Sequence, residues 1–525
     1  MRFSSRFSAG SLALICAALL GIGVHQAASA QDLASFEKRI TTKVLPNGLT
    51  VIVCERPEAP VFSFFTIVDA GDANDPGGQS GLAHMFEHLA FKGTKTIGTT
   101  DYAAEKVALD KVEEKYAAYE VEYRKRVGQD PARLKQLHAD FEDAVKDAQK
   151  YVVPNQFTEL AEENGATGVN ANTSLDATQY YWSMPENRFE LWAFMESDRI
   201  ANPVPREFYK ERDVVMEERR MRTDSSPVGK MVEQFLATAY VAHPYHRPNV
   251  GWAEEISHVT ATEAAAFHKE YYVPANIIVA VAGDLKAEAV MPVLEKYFGA
   301  IPAGPKPVDM ATPEPVQTAE RSVVLKLPTQ PFYLEGYHRP DYRDPDDAVY
   351  DAISDILSNG RTSRMYRSLV RDQQIAAEAA GFSGFPGNKY PGLFAFVAVP
   401  LPGHTPQQMA EAIHKEIDKL KTADVTDDEL AMFKTRTRAD LLRGLANNQG
   451  LAEQLALYQL RYGDWRELFR QLEQIDKVSK ADIRRVSSKV FTERNRTVAT
   501  IEFQPPRGAA APGGGAAPAP EGGAK

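Results

Sequence analysis

Two histidines and a glutamate at close spacing are the residues of this chain with the clearest capacity for chemistry. They are His84, Glu87 and His88, in a stretch whose apolar residues recur at helical intervals. On a helix, the two histidines lie one turn apart and the glutamate falls within an arc of about 100° with them. Two imidazoles at that separation can bind one zinc ion, and the carboxylate beside them can reach a water molecule on that ion.

The pattern His-x-x-Glu-His is a signature of zinc peptidases, so a zinc protease is the leading hypothesis. Ser80 is expected to cap the helix that carries the pattern. The alternative is a solvent-exposed polar helix face, because the pattern should arise by chance in roughly one chain in a hundred of this size. Features further along the chain favour the zinc site.

A catalytic zinc ion needs a third protein ligand, because it usually holds three and leaves one position for water. A carboxylate from a separate element is therefore expected. The predicted helix at 205–222 offers three candidates, which are Glu211, Glu217 and Glu218. Spacing alone does not choose among them.

Length and composition indicate a globular protein of two or more domains. The 525 residues exceed what one hydrophobic core usually supports. A hydrophobic content of 44% and a charged content of 25% are typical of globular chains. The net charge of −11, without a basic cluster and interleaved aromatic residues, argues against nucleic acid as a partner.

The first 30 residues predict an export signal. Arg2 and Arg6 form a basic region, residues 12–24 are apolar, and residues 28–30 read as a cleavage site. A transmembrane anchor is the alternative, but the apolar run is short for a membrane span. We therefore expect a periplasmic or secreted protein with no membrane span after signal removal. The remaining cysteine, Cys54, excludes an intramolecular disulfide.

Proline and glycine divide the rest of the chain. Residues 301–321 contain six of them and predict a linker between an N-terminal domain at 31–300 and a C-terminal domain at 322–504. The Pro/Gly/Ala-rich tail at 505–525 is expected to be disordered.

The end of the second domain repeats the end of the first. Residues 259–279 align with 478–498 at a constant offset of 219, although similar composition is an alternative explanation. The repeat predicts two homologous α+β domains that face each other as a clamshell, each with an antiparallel-rich sheet packed with helices. The second domain contains no His-x-x-Glu-His, so it is expected to bind no metal.

A charged helical segment at about 102–153 interrupts the first domain. The break at 128–131 divides it into two stretches, which predicts a helical hairpin. The simplest interpretation is a solvated hairpin without chemistry. The alternative is a flap over the cleft or an arm that docks a partner.

Several motifs together resemble the pitrilysin family, which includes the mitochondrial processing peptidases and insulin-degrading enzyme. The resemblance spans nearly the whole chain after the signal. It is carried by His84-x-x-Glu87-His88 with Lys92-Gly93-Thr94, Asn170-Ala171-x-Thr173, Glu211-Arg212-Asp213-Val214 with Glu218, and His243-Pro244-Tyr245 with Tyr272, Pro274 and Asn276.

The resemblance implies a role for each motif. It makes Glu218 the third zinc ligand, after His84 and His88, and Glu87 the catalytic base. It makes Glu211 a carboxylate that orients a ligand histidine from behind. It also implies that the stretch of Asn170, Ala171 and Thr173 is an edge strand that takes extended substrate as an added strand.

Two departures from the family pattern are informative. The separation of His88 from Glu218, 130 positions (218 minus 88), is longer than usual, and the hairpin accounts for the excess. The family also places an arginine and, seven residues later, a tyrosine in the second domain, where they bind substrate and the reacting carbonyl. Arg371 matches the arginine, but the tyrosine position holds Glu378.

The missing tyrosine implies a metal-bearing subunit that acts on peptides with a second, zinc-free homologous subunit. A heterodimer is expected, and a homodimer is possible. The alternative is a non-catalytic peptide-binding or scaffold subunit of the same fold.

Overall fold

The computed structural model describes residues 36–505. The predicted signal at 1–30 and nearly all of the predicted tail at 505–525 lie outside the described residues. Within 36–505, no helix is both long and apolar enough to cross a bilayer.

The first half is built on a sheet of six strands. Their spatial order is β1-β2-β6-β3-β5-β4. The strands β2 and β6 are parallel, and every other neighbouring pair is antiparallel. The strands are Ile40–Val44 (β1), Thr50–Glu55 (β2), Val61–Val68 (β3), Thr167–Thr173 (β4), Thr178–Pro185 (β5) and Ile277–Gly283 (β6).

Helices connect these strands, and several of them cover one face of the sheet. They are Leu82–Leu89 (α1), Tyr102–Tyr123 (α2), Pro131–Gln149 (α3), Gln156–Glu163 (α4), Phe189–Ala201 (α5), Phe208–Arg219 (α6), Pro227–Ala239 (α7), Ala253–Ile256 (α8), Ala261–Tyr271 (α9) and Ala287–Phe298 (α10). A π-helical turn, Arg220–Asp224, extends α6.

The second half is built on a sheet of five strands in the order β7-β11-β8-β10-β9. The strands are Arg321–Leu327 (β7), Phe332–His338 (β8), Ala376–Phe385 (β9), Leu393–Pro400 (β10) and Arg496–Phe503 (β11). The helices are Asp347–Ser358 (α11), Pro406–Thr422 (α12), Asp427–Gly444 (α13), Asn448–Tyr462 (α14), Glu467–Lys477 (α15) and Lys480–Val490 (α16).

The two halves repeat one topology, as the sequence predicts. The order β2-β6-β3-β5-β4 corresponds to β7-β11-β8-β10-β9, and in each half only the first pair is parallel. The helices α9 and α16 begin at Ala261 and Lys480, which are 219 residues apart. Asn276 and Asn495 make the same contact, since each donates to a carbonyl oxygen of the preceding helix at 2.9 Å. The predicted α+β fold of two homologous domains is confirmed.

Both faces of the first sheet are buried, which explains the continuous apolar run in β2. Val51 and Val53 face the helices of their own half, whereas Ile52 and Cys54 face the opposite side. That opposite side is covered by α14 of the second half, through Leu451, Ala452, Leu455 and Ala456. Burial raises the pKa of the Cys54 thiol to about 11, which makes it unreactive.

The second sheet receives a helix from the first half in return. Met231, Phe235 and Leu236 of α7 pack with Leu334 of β8 and Ile501 of β11. Each half therefore completes the core of the other, and the halves are interlocked as well as joined in sequence.

The predicted linker is held against the first half. The carboxylate of Glu314 accepts hydrogen bonds from the backbone N–H groups of Val241, Ala242 and His243 at 2.9 to 3.0 Å. Three aligned amides form a site that favours a negative charge. The segment is thus a fixed strap rather than a free hinge between two clamshell halves.

The predicted helical hairpin is present as α2 and α3, and it packs along α6. The Tyr116 and Tyr209 rings lie 4.4 Å apart, and the Tyr209 hydroxyl donates to Glu113 at 2.6 Å. Arg212 donates to the Tyr116 hydroxyl at 2.6 Å. The hairpin is therefore attached to the helix that carries Glu211 and Glu218, and is not solvated on all sides.

The exchange of helices predicts that the two halves unfold together. Leu455 is fully buried, so Leu455→Ala should lower the free energy of unfolding by about 2–5 kcal/mol. In hydrogen exchange at increasing urea concentration, β3 and β10 of this variant should lose protection at the same urea concentration, which should be lower than in the wild type. Leu442→Ala, at a position that is 47% exposed, is the matched control with little effect expected. A shift confined to one half would contradict the interlocked core.

Candidate metal centre

The helix α1, which carries both histidines, is capped by an acid from the preceding loop. Its N-cap residue is Gly81, so the prediction of a Ser80 cap is wrong. The Ser80 hydroxyl instead accepts the backbone N–H of Trp252 at 2.8 Å. The carboxylate of Asp75 accepts the backbone N–H groups of Gly81 and Ala83 at 2.6 and 2.9 Å. A buried carboxylate therefore satisfies the helix terminus that a serine was expected to satisfy.

Side-chain donors of His84, His88 and Glu218 converge on one point. One donor atom from each lies within 4.8 Å of the others. The two carboxylate oxygens of Glu218 lie 3.6 Å from Nε2 of His84 and 3.5 Å from Nε2 of His88. Two imidazole nitrogens and one carboxylate are a donor set that zinc takes in catalytic sites, so these residues fit that ion.

The three candidate glutamates occupy different places. Glu217 lines the same cavity but is not among the converging donors, and its carboxylate accepts from Nε of Arg220 at 2.7 Å. Glu211 lies behind the site, with a carboxylate oxygen 3.6 Å from Nδ1 of His88. Its other oxygen is 2.5 Å from Nζ of Lys92. The structure thus brings Glu218 to the converging nitrogens and Glu211 to the far side of one imidazole.

The two histidines sit in opposite electrostatic environments. Burial lowers the pKa of His84 to about 4, which keeps its imidazole neutral. Burial also acts to lower the pKa of His88, but the hydrogen bonds that its ring donates to Glu211 and Glu218 outweigh burial and raise that pKa to about 9. The local field therefore favours one positive charge beside His88, which a metal cation would supply in place of a proton.

Glu87 is a carboxylate with a strengthened affinity for protons. Burial raises its pKa, and a hydrogen bond with Thr173 and the charge of His88 counteract only part of that rise. It lines the same cavity as His84, His88 and Glu218. A raised pKa on a carboxylate next to a metal-binding point suits a general base.

The cavity continues along the edge of the first sheet. Its volume is about 770 Å³, and it is lined by residues of α1, α6 and β4, with Met221, Arg222 and Asn249. β4 is the last strand in the order of its sheet, so none of the described strands pairs with its outer edge. Asn170, Ala171 and Thr173 all line the cavity. The structure therefore brings these three residues beside the histidines.

Arg371 is placed elsewhere. It lies on a π-helical turn before β9 and pairs with Asp372 at 2.6 Å, with its side chain about half exposed. The described residues that line the cavity all belong to the first half of the chain. The structure does not bring Arg371 to the converging histidines, and Glu378 lies on β9.

Sequence reasoning missed several charged groups around the site. Arg222 lies 2.7 Å from a carboxylate oxygen of Glu218, and their spacing of four residues on one helix could have indicated the pair. Asp72 is fully buried, and burial, then Asp75 and Glu87, raise its pKa well above the usual range. No sequence pattern marks Asp72, because only the fold places it under the helix.

Known proteins resemble this chain over nearly its whole length. The family models "Insulinase (Peptidase family M16)" and "Peptidase M16 inactive domain" match residues 50–122 and 258–437. Zinc protease PqqE of Helicobacter pylori is 29% identical over 500 residues, which cover 92% of this chain and 96% of that protein. The beta subunit of the mitochondrial-processing peptidase of Saccharomyces cerevisiae is 24% identical, with 84% and 86% covered.

A solved structure agrees with these matches. The crystal structure of a protease from Helicobacter pylori has a TM-score of 0.72 and 25% sequence identity, and covers 88% of this chain and 99% of that one. The two family models match in chain order, one around the histidine helix and one from the end of the first half into the second. The chain therefore belongs to the M16 peptidases, the pitrilysin family.

Proposed function

We propose that this chain is a zinc-dependent endopeptidase that hydrolyses peptides or unfolded polypeptides. The observation that carries the proposal is the convergence of His84, His88 and Glu218 beside Glu87 in one open cavity. Bound zinc would polarise the scissile carbonyl and lower the pKa of a water molecule to about 7. Glu87 accepts the proton of that water and returns it to the leaving amine.

The remaining groups position the reacting parts. Glu211 fixes the ring of His88 through Nδ1, and Lys92 holds Glu211 in turn. The edge of β4 adds an extended peptide as a further strand. The backbone N–H of Ala171 donates to the side chain of Asn170 at 3.0 Å, a contact that a peptide carbonyl can replace.

We also propose that a second subunit completes the active site. The lining of the cavity comes from the first half, and the interlocked cores hold the second half away from the histidines. Glu378 stands where the family places a tyrosine. A zinc-free homologous chain in a heterodimer is the favoured partner, and a second copy of this chain is the alternative. The relative from Saccharomyces cerevisiae is itself named a subunit.

A non-catalytic peptide-binding or scaffold subunit is the second candidate. The match to an inactive-domain model favours it, but that match begins at residue 258. His84, Glu87, His88 and Glu218 all precede it, so the match describes a part of the chain without the proposed ligands.

The signal-like N-terminus supports an exported protein, periplasmic or secreted.

Glu87→Gln should separate zinc binding from catalysis. The amide keeps the size of the side chain but cannot accept the proton of the water, so turnover should fall by about 10²–10⁴-fold. Zinc content, measured by elemental analysis, should stay at one ion per chain because Glu87 is not a ligand. Peptide cleavage by this variant at the wild-type rate would remove Glu87 as the base. A wild-type chain without zinc would favour the scaffold function.

Glu218→Gln should weaken zinc binding. An amide is a poor zinc ligand, so affinity should drop by more than the ~10- to 100-fold typical of residues that only support a ligand. The measurement is competition with a chromophoric chelator. Glu217→Gln is the matched control, because the carboxylate of Glu217 pairs with Arg220 and is not among the three converging donors. Equal affinities for the two variants would exclude Glu218 as the third ligand.

The purified chain should need a partner for full activity. We expect slow peptide hydrolysis by the chain alone and faster hydrolysis when a zinc-free homologous chain from the same organism is added. Light scattering should show a complex of two chains under the active condition. A monomer with full activity would exclude the second subunit, and an active dimer of this chain alone would identify the homodimer.

A further inference from the structure

Arg206 is a fully buried guanidinium at the start of α6, and all five of its N–H groups have acceptors. Two of them bind the carboxylate of Glu105 in α2 of the hairpin, at 2.8 and 2.9 Å. Glu105 is also fully buried. A paired, fully hydrogen-bonded charge of this kind fixes the geometry of the groups around it.

The other N–H groups of Arg206 hold the loop that follows the histidine helix. They donate to the carbonyl oxygens of Lys92, Thr94 and Ile97 at 2.7, 2.7 and 3.0 Å. Glycines at 93 and 98 make room for this arrangement, because a Cβ atom at either position would lie within 2.9 Å of the guanidinium. The loop and the arginine are therefore built to fit each other.

This loop leads directly to the metal centre. Its first residue, Lys92, reaches Glu211 with its ammonium group at 2.5 Å, and Glu211 lies 3.6 Å from Nδ1 of His88. The backbone of Lys92 is thus held by Arg206, while its side chain holds the carboxylate behind a proposed zinc ligand. Arg206 and Glu105 act on the site through these intermediates and do not touch it.

We propose that Glu105 and Arg206 are positioning residues, through which the helical hairpin braces the metal centre. The proposal rests on the proposed zinc site. A role confined to attaching the hairpin explains the structure less well. The hairpin is already attached to α6 through Glu113 and Tyr116, and three of the five hydrogen bonds of Arg206 go to the loop.

Two variants test the brace. Glu105→Gln removes the charge that anchors the guanidinium. Arg206→Lys keeps an ion pair with Glu105 but lacks the donors for the three carbonyls. Both should weaken zinc affinity by about 3- to 10-fold, less than the ~10- to 100-fold typical of a direct partner of a ligand. In EDTA-treated protein, both should speed hydrogen exchange at 92–98.

Glu196→Gln is the matched control. Glu196 and Arg199 also form a buried ion pair, in α5, but they make no hydrogen bond to the 92–98 loop. This variant should lower Tm without changing zinc affinity or exchange at 92–98. If Glu105→Gln does not fold, Glu105→Asp is used instead. Aspartate keeps the negative charge, but its side chain is shorter and holds the guanidinium less well.

The outcomes separate this proposal from the proposed function. Zinc affinities within about twofold of wild type for both variants would overturn the brace, as would unchanged exchange at 92–98. If Glu196→Gln weakens zinc binding as much as Glu105→Gln and Arg206→Lys do, the effect comes from general stability and the brace is wrong. A wild-type chain that binds no zinc would overturn the proposed function, and the exchange data would then decide the brace alone.

Discussion

The repulsion among carboxylates packed around one pair of histidines is the constraint on which the site depends. Glu87, Glu211 and Glu218 surround His88, and Asp72 and Asp75 are buried beneath the same helix. Protonation relieves part of this repulsion, since the pKa values of Asp72 and Glu87 are raised, and the cations of Lys92 and Arg222 offset more of it. A divalent cation on the histidines and Glu218 would supply further positive charge where the field already favours it. A metal ion bound there would couple its affinity to the stability of this region.

The elements that hold these acids together are far apart in the sequence. α1 follows β3 directly, whereas α6 arrives after the whole hairpin and the β4–β5 pair, which places Glu218 130 positions beyond His88 (218 minus 88). The sheet positions α1. Contacts with the hairpin and, through Arg206, with the 92–98 loop position α6. α14 then closes the back of the same sheet. The geometry of the site thus comes from packed helices and strands together with loops that are hydrogen-bonded to them.

Sequence reasoning succeeded where a signal was local. The helical spacing of His84 and His88 and the offset between Asn276 and Asn495 are both present in the structure, because periodicity and repeats can be read directly from the sequence. It failed where a partner does not stand at the spacing of a known pattern. The cap on α1 comes from Asp75, and no pattern could pair Arg206 with Glu105 across 101 positions. The choice of Glu218 required a family resemblance, since spacing left three glutamates equal.

The second half of the duplicated fold lacks the His-x-x-Glu-His pattern but still has a structural role. α11 follows β8 as α1 follows β3, yet α11 carries no histidine, and Asp347 near its start binds the buried Arg339 instead. The second half instead contributes α14 to the first core and accepts α7 into its own. α14 packs on the face of the first sheet opposite the one that carries α1. The second half therefore supports the histidine helix from behind, because it completes the core of the sheet on which that helix rests.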